Sequence, residues 1–498
     1  MAIKRYKATA DNTIANGYQE NLGTRATGSN MGLADVSEVY SIYGRESTTS
    51  SELSRIISTF DVASISSDRT AGIIPASGDV SFYLRLYNAE TSNTVPKDFK
   101  LVVEAISRAW TEGDGLDLEN YKDLGVSNWI SASQGQAWTT AGGDYHPTPN
   151  FEQTFETGLE DLEIDITTLV DQWVAGTKAN YGLGVRLTSS VESAATSYYT
   201  KRFFARGTQY FFKKPVIEAR WNSSTQDDRG DFYYSSSLAP GPDNLNTLYL
   251  FNYVRGQLTN IPQIGTTGSI MVSLFSGSAN DTAPSGSRLE FSIGGGVSKA
   301  AETFATGGYV STGIYSCSLA ITAAATPLKT LYDVWSTGSI TDGDHYKTRF
   351  FTGSIKPIEL YALSYSQGNN RQIVKIKNLR AKYFSEEEAR FNVYVRNKNW
   401  SPTIYTVASA EIENTIIPSA SFRVYRVLDG LNVIPHGTGS DLQTILSYDV
   451  SGNYFNLDMS LLETGYEYGI KLAFYDSQRQ SWIEQDQKFL FRVEDYEY

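Results

Sequence analysis

The sequence predicts an all-β protein of three tandem β-sandwich domains, the first two related by internal duplication and the third immunoglobulin-like. Three observations predict it. Apolar and polar residues alternate in many short runs, each bounded by turn-forming residues. The residue stock suits strands and turns, with 33 Tyr, 23 Phe and 41 Gly in 498 residues. A set of landmarks also occurs twice, in the same order.

The landmarks define the expected repeat. Thr168-Leu169-Val170-Asp171-Gln172-Trp173 is matched by Thr330-Leu331-Tyr332-Asp333-Val334-Trp335. Lys201-Arg202-Phe203-Phe204 is matched by Thr348-Arg349-Phe350-Phe351, and Lys214-Pro215-Val216-Ile217-Glu218 by Lys356-Pro357-Ile358-Glu359. Upstream, Ile74-Pro75 before the Phe82 run is matched by Ile261-Pro262 before the Ile270 run. Spacings shrink along the second copy, as in a repeat that has lost loops. The expected division is a polar N-terminal arm over 1–49, one sandwich over 50–222, a shorter related one over 223–363, and an immunoglobulin-like sandwich over 364–498.

Each element has its own warrant. The arm is rich in Thr, Ser, Asn and Gly, and reads as irregular apart from one strand at 37–43. Its apolar residues Val36, Val39, Tyr40, Ile42 and Tyr43 are candidates for an intersubunit contact. Strands are predicted over 54–62, 79–87 (Val80, Phe82, Leu84 and Leu86 on one face), 99–106, 162–166, 184–188 and 216–221. One helix is predicted over Thr167–Ala175: Leu169, Val170 and Trp173 share a face, Thr167 is the expected N-cap, and Gly176 the stop. A polar connector over 222–230 leads to strands at 246–254, 269–275, 289–293, 313–321, 346–351 and 356–360. The last domain carries strands at 372–379, 390–395, 421–428, 452–457, 466–475 and 487–493.

Composition excludes several function classes. Hydrophobic residues are 41% of the chain, enough for packed cores. The formal charge is −13 with no basic stripe, so nucleic acid is not an expected partner. Cys317, the one cysteine, alternates with apolar neighbours and reads as a buried strand residue. No apolar stretch follows the basic residues at the N-terminus, so no signal peptide is expected. No apolar run approaches the ~18 residues of a membrane span, so no membrane insertion is expected.

Catalytic motifs are sparse. His146, His345 and His436 stand far apart, and no nucleophile elbow or phosphate loop occurs. An enzyme is therefore not expected. A glycosidase would need a carboxylate pair such as Glu112 with Asp114 or Asp161 with Glu163; surface acids read the same way. Asp114, Asp117 and Glu119, with Gly113 and Gly115 among them, are candidate Ca²⁺ ligands or a solvated acidic loop; no other cofactor is expected. Trp129, Trp138 and Tyr145 are candidate glycan-stacking rings, or rings that cover one end of a sandwich.

Several motifs over residues 50–220 resemble the DNRLRE-type β-sandwich modules: Trp110-Thr111-Glu112-Gly113, Trp129, Trp138-Thr139-Thr140-Ala141-Gly142-Gly143-Asp144, Ile164-Asp165-Ile166-Thr167 leading to Trp173, and Asn180-Tyr181-Gly182-Leu183. Where that family has a short Ser-Arg-Glu segment, this chain has Arg202–Arg206. The resemblance implies cell-surface and carbohydrate contexts. The whole chain, with Lys4-Arg5-Tyr6-Lys7-Ala8 at its start and Ser41-Ile42-Tyr43-Gly44 in the arm, also resembles virion structural proteins of large contractile-tailed bacteriophages, cyanophages in particular. That resemblance implies a non-enzymatic particle component of the tail or neck, made in the host cytoplasm and ending in the virion. Its implied partners are copies of itself and other virion proteins. A glycan-binding adhesin that contacts host surface glycan is the alternative, and a carbohydrate-active enzyme the third.

Overall fold

The computed structural model describes residues 2–91, 96–117, 125–195, 198–278, 280, 282–296, 302–323, 328–337, 348–358, 372–398, 414–477 and 479–496. Strands hold 45% of the chain and helix 7%, which meets the all-β expectation.

The first domain is organised by a strand that the arm hides. Strand β1 (Ile3–Ala15) crosses from one sheet to the other. Its first half, Ile3–Lys7, pairs antiparallel with Val216–Arg220. A bulge between Ala8 and Ala10 turns it, and its second half pairs with Ser54–Phe60. One sheet then runs outward from β1 through Val216–Arg220 and Ser81–Leu86 to Leu162–Asp165; the other runs through β3 (Ser51–Phe60), Leu183–Leu187 and Phe99–Ile106 to Tyr145–Phe155. Between them lies one core that includes Phe82, Leu84, Leu101, Val103 and Phe155.

Residues 1–49 are therefore not an arm. Besides β1 they supply β2 (Val36–Tyr43), held between β3 and Tyr198–Phe204. Val39 is fully buried in the domain's own core and Tyr40 is nearly so, while Val36, Ile42 and Tyr43 are half-buried within this ladder. The intersubunit contact expected of these residues is replaced by an intramolecular one. The physical reason is local. Asp11, Asn12 and Thr13 look like surface residues but are buried, because loops plug into them. Asn12 Nδ2 donates to Ser127 O at 3.0 Å, and Asp11 accepts from the Arg206 backbone N–H.

Two helices cover one end of this core. Helix α1 (Val62–Thr70) follows β3 directly, where no element is expected after the strand predicted to end at 62; Asp61 caps it by accepting from Ser64 N. Helix α2 (Thr167–Val174) matches its prediction, with Gly176 at φ +71° as the stop. Its N-cap is Ile166, not Thr167; the Thr167 hydroxyl donates to Asp165 and accepts from the Phe82 N–H. Arg69 pairs with Asp171 at 2.9 Å and ties the helices together. Trp173 is 5% exposed against the core, so Trp173→Ala is expected to cost ~3–5 kcal/mol in a thermal melt. Trp173→Phe should cost clearly less, because the indole N–H has no hydrogen-bond partner among the described residues. Equal losses would contradict this packing role.

The second domain is built on a seven-stranded sheet, in the order Asn246–Phe251, Ile314–Leu319, Ala305–Ser311, Ile270–Gly277, Leu331–Thr337, Thr348–Ile355, with a short strand at Pro284–Ser285 added to Ile270–Gly277 and a separate two-stranded ribbon of Tyr253–Val254 and Gln257–Leu258. Its core holds Phe232, Tyr315, Trp335 and Cys317, whose thiol burial pushes up to about 12. This order is not that of the first domain. Trp173 lies on a helix, whereas Trp335 lies on a central strand between Val272 and Phe351. The recurring landmarks thus do not occupy equivalent places, which corrects the expected duplication. Leu289–Ile293 forms only isolated bridges at Phe291 and Ser292. His345 and part of the strands expected at 346–351 and 356–360 lie outside the described residues.

The third domain faces a four-stranded sheet (Gln372–Ile376, Glu388–Asn397, Gly452–Asp458, Ser447–Asp449) against a six-stranded one that contains Ala420–Arg426, Glu467–Asp476 and Phe489–Glu494. Stacked Phe422, Phe455 and Phe391 fill the gap.

Two junctions hold this domain. Ile3 of β1 is buried in the third domain's core, and Arg5 Nη2 donates to Val433 O at 2.8 Å. The polar connector docks on the strand Ser447–Asp449: Tyr448 N donates to Thr225 O, Asp227 N to Tyr448 O, and Tyr448 OH to Asp228 at 2.6 Å. Burial pushes the nearby Asp231 carboxyl up to about 7, with Asp228 adding to the effect. The folded chain holds this proton where the unfolded chain, with its carboxyl near ~3.9, has lost it. Stability from this group is therefore full below about pH 4 and lost as pH rises to about 7. Asp231→Asn is expected to add about 1–3 kcal/mol at pH 8 and little at pH 4. A variant whose melting keeps the parent's full pH slope would contradict it.

Candidate functional site

The loop between Ile106 and Tyr145 folds over the outer face of the second sheet. There Trp129 and Trp138 join Ile14, Ile57, Ile106 and Ala132 in a small second core. They are 6% and 5% exposed, and Trp138 Nε1 donates to Asn128 O at 2.8 Å. Neither face is open to a sugar, so of the two roles expected for these rings the packing one applies. A ring that small loops cannot cover is anchored here because β1, β3 and Phe99–Ile106 together leave an apolar outer patch.

Tyr145, half-buried, packs against the edge of that core and also lines a cleft of about 590 Å³. Its hydroxyl donates to Gly142 O at 2.8 Å. Gly143, at φ +108°, lets the chain pass: a Cβ there would stand 2.5 Å from the Tyr145 hydroxyl, and one at Gly184 2.2 Å from the ring. Three ion pairs line the cleft. Arg55 makes a two-pronged pair with Glu192 at 3.0 and 2.7 Å and donates to Gly142 O. Arg186 meets Glu104 at 2.9 Å, and Arg108 meets Asp144 at 2.9 Å. Burial raises the Asp144 carboxyl, but N–H donation from Thr139 and Thr140 outweighs it and keeps the group below its ordinary value. Donors and carboxylate acceptors thus alternate along a nearly neutral floor. That pattern suits vicinal hydroxyls better than a charged ligand.

The other sequence candidates are placed as follows. Glu112 accepts a two-pronged contact from Arg206, at 3.2 and 2.7 Å, and also accepts from Asp11 N. Glu163 pairs with Arg220 and Arg85, and Asp161 accepts from Asn88 N at 2.7 Å. Asp114 is exposed and Asp117 half-buried, while Glu119 lies outside the described residues. Gly113 and Gly115 are not hinges for an ion: both make room for Asn30, whose Oδ1 accepts from Gly115 N at 2.8 Å. Among the described residues no group of three or more His, Cys, Asp or Glu is arranged to hold a metal. No helix among them is long and apolar enough to cross a membrane.

The cleft residues that sequence reasoning missed are Arg55, Glu104, Arg186 and Glu192. For Arg55, Glu104 and Arg186 the one signal is position on a strand, shared by any charged strand residue; Glu192 ends the short helix Ser189–Glu192 that follows Leu183–Leu187. Only the fold brings them together.

No protein-family model matches the chain, and no curated protein matches it. Among solved structures, a Salmonella alpha-2-macroglobulin mutant aligns with a TM-score of 0.14 and 7% identity, over 94% of this chain and 21% of that one. The same protein reacted with methylamine aligns with a TM-score of 0.15 and 7% identity, over 98% of this chain and 26% of that one. The chain spans about a quarter or less of those chains. At these scores the likeness carries no argument about fold or function.

Proposed function

We propose that this chain is a non-enzymatic structural subunit of a tailed bacteriophage particle, placed in the tail or neck. The observation that carries the reading is the double junction. The first strand builds both sheets of the first domain and sinks Ile3 into the third, while the connector after the first domain pairs with Ser447–Asp449. Three domains held this way transmit position rather than open and close, as an assembly part must. Subunit contacts would use an edge of the second domain's sheet. Asn246–Phe251 and Thr348–Ile355 are its outer strands among the described residues. The first is covered by the connector, since Asp228 N donates to Thr247 O and Thr247 N to Asp228 Oδ2, so Thr348–Ile355 is the edge that would meet a neighbouring strand. The test is incorporation. Host cells that supply a tagged copy during infection should yield particles carrying the tag. Tag recovered only in the particle-free lysate would contradict the proposal.

The Tyr145 cleft favours a second reading, glycan binding at the virion surface. A glycan array should then give hits that Tyr145→Ala and Arg55→Ala remove while both variants stay folded; a lowered melting temperature is expected for each, because Arg55 pairs with Glu192 and Tyr145 packs against the small second core. Hits that survive both variants would place binding elsewhere.

A further inference from the structure

A second pocket, of about 220 Å³, lies where the first strand meets the third domain. It is smaller than a site for a drug-sized ligand and suits an ion or a single ring. Its walls come from both domains: β1 and Phe211–Val216 on one side, Asp458, Ser460 and Leu461 on the other. Four cationic side chains line it, those of Lys4, Arg5, Lys7 and Lys214. Lys4 is committed to Asp68 at 2.7 Å and Arg5 to Glu218 at 2.7 Å. Lys7 and Lys214 have no carboxylate within ion-pair distance among the described residues. Lys7 instead rests over the Phe211 ring, 4.3 Å from its centre. The one carboxylate on the wall, Asp458, accepts from Ser460 N at 2.9 Å in its own turn. Partial burial, with Lys214 and Arg5 adding to it, pulls the Lys7 ammonium below its ordinary pKa. Tyr87, Phe211 and Phe212 supply an apolar wall beside these charges.

We propose that this junction pocket binds an oxyanion, a carboxylate or phosphate, with Lys7 and Lys214 as its counter-ions. Lys7 is exposed and Lys214 half-buried, so two uncommitted ammonium groups at the mouth of a partly apolar pocket can meet an anion that also reaches the pocket's wall. The site is separate from the Tyr145 cleft and independent of the role proposed for the whole chain. Because both domains line it, an occupant would also tighten their junction.

Calorimetric titration of the full chain at low ionic strength tests this, with inorganic phosphate, glucuronate and glucose as probes. Saturable one-to-one binding of phosphate and glucuronate, and none of glucose, is expected. The Lys7→Gln/Lys214→Gln double variant should weaken both anions by roughly tenfold or more. Lys7→Arg/Lys214→Arg, which keeps the charge, should retain binding and serves as the folding control. Phe211→Ala separates the sources: loss confined to glucuronate points to acidic sugars, and no change for either points to free phosphate. Absence of saturable binding by both anions, or a Gln double variant that binds like the parent, would overturn the proposal.

Discussion

A chain lacking residues 2–15 is expected to lose the first domain, not to shed a dispensable arm. The strand removed belongs to both sheets, so its loss opens an edge on each. It also takes Ile3, Tyr6 and Ile14 out of three separate buried clusters. At about 1.5–3 kcal/mol for each large apolar side chain, that is roughly 5–9 kcal/mol before any hydrogen bond is counted. Whole domains have about 5–15 kcal/mol to lose. Hydrogen exchange should show residues 51–60 and 216–220 unprotected in the truncated chain, and the third domain should lose its contact at Val433. A truncated chain that melts like the parent would show that β1 is peripheral.

Asp333→Ala is the most damaging single substitution expected in the second domain. Asp333 is fully buried on the strand Leu331–Thr337. It accepts from Arg229 Nη2 at 2.7 Å, from Arg229 Nε, and from Trp335 Nε1 at 2.6 Å. Arg229 belongs to the connector and is itself buried, with Asp227 as its other partner. Gly353 makes the site possible: a Cβ there would stand 2.5 Å from Asp333 Oδ1. Removing the carboxylate leaves a buried guanidinium half-compensated and a buried indole N–H unpaired. A cost of about 3–5 kcal/mol follows, seen as early melting of the second domain. Asp333→Asn keeps the acceptor oxygen and should lose less. A neutral Asp333→Ala would mean that water reaches Arg229.

Residues whose local pattern agreed with their burial were legible in the sequence. The strand Ser81–Leu86 falls where its alternation places it, with Phe82, Leu84 and Leu86 buried, and the helix carrying Leu169, Val170 and Trp173 starts and stops within a residue of expectation. The misread places are those where tertiary contacts overrode pattern. β1 buries Asp11, Asn12 and Thr13, polar residues that only distant loops can satisfy. The string Thr-Leu-x-Asp-x-Trp fits a helical face at one position and a doubly covered strand at the other. At the second, Leu331, Tyr332, Asp333, Val334 and Trp335 are all buried, which no periodicity distinguishes. For Trp129 and Trp138, in a Gly/Ser/Thr-rich stretch, the pattern left packing and glycan stacking both open; burial in a second core selects packing. Of the cleft, only Tyr145 was visible, because its charged lining comes from several strands, the short helix Ser189–Glu192 and the loop residues Arg108 and Asp144, which only the fold brings together.

The claim that this chain is a particle subunit is tested most directly by quantitative mass spectrometry of purified phage particles from the source of this gene. The account predicts that the chain is present in many copies per particle, in a fixed small-integer ratio to a known tail or neck protein. Its absence from purified particles, with the chain recovered in the soluble lysate, would contradict the claim.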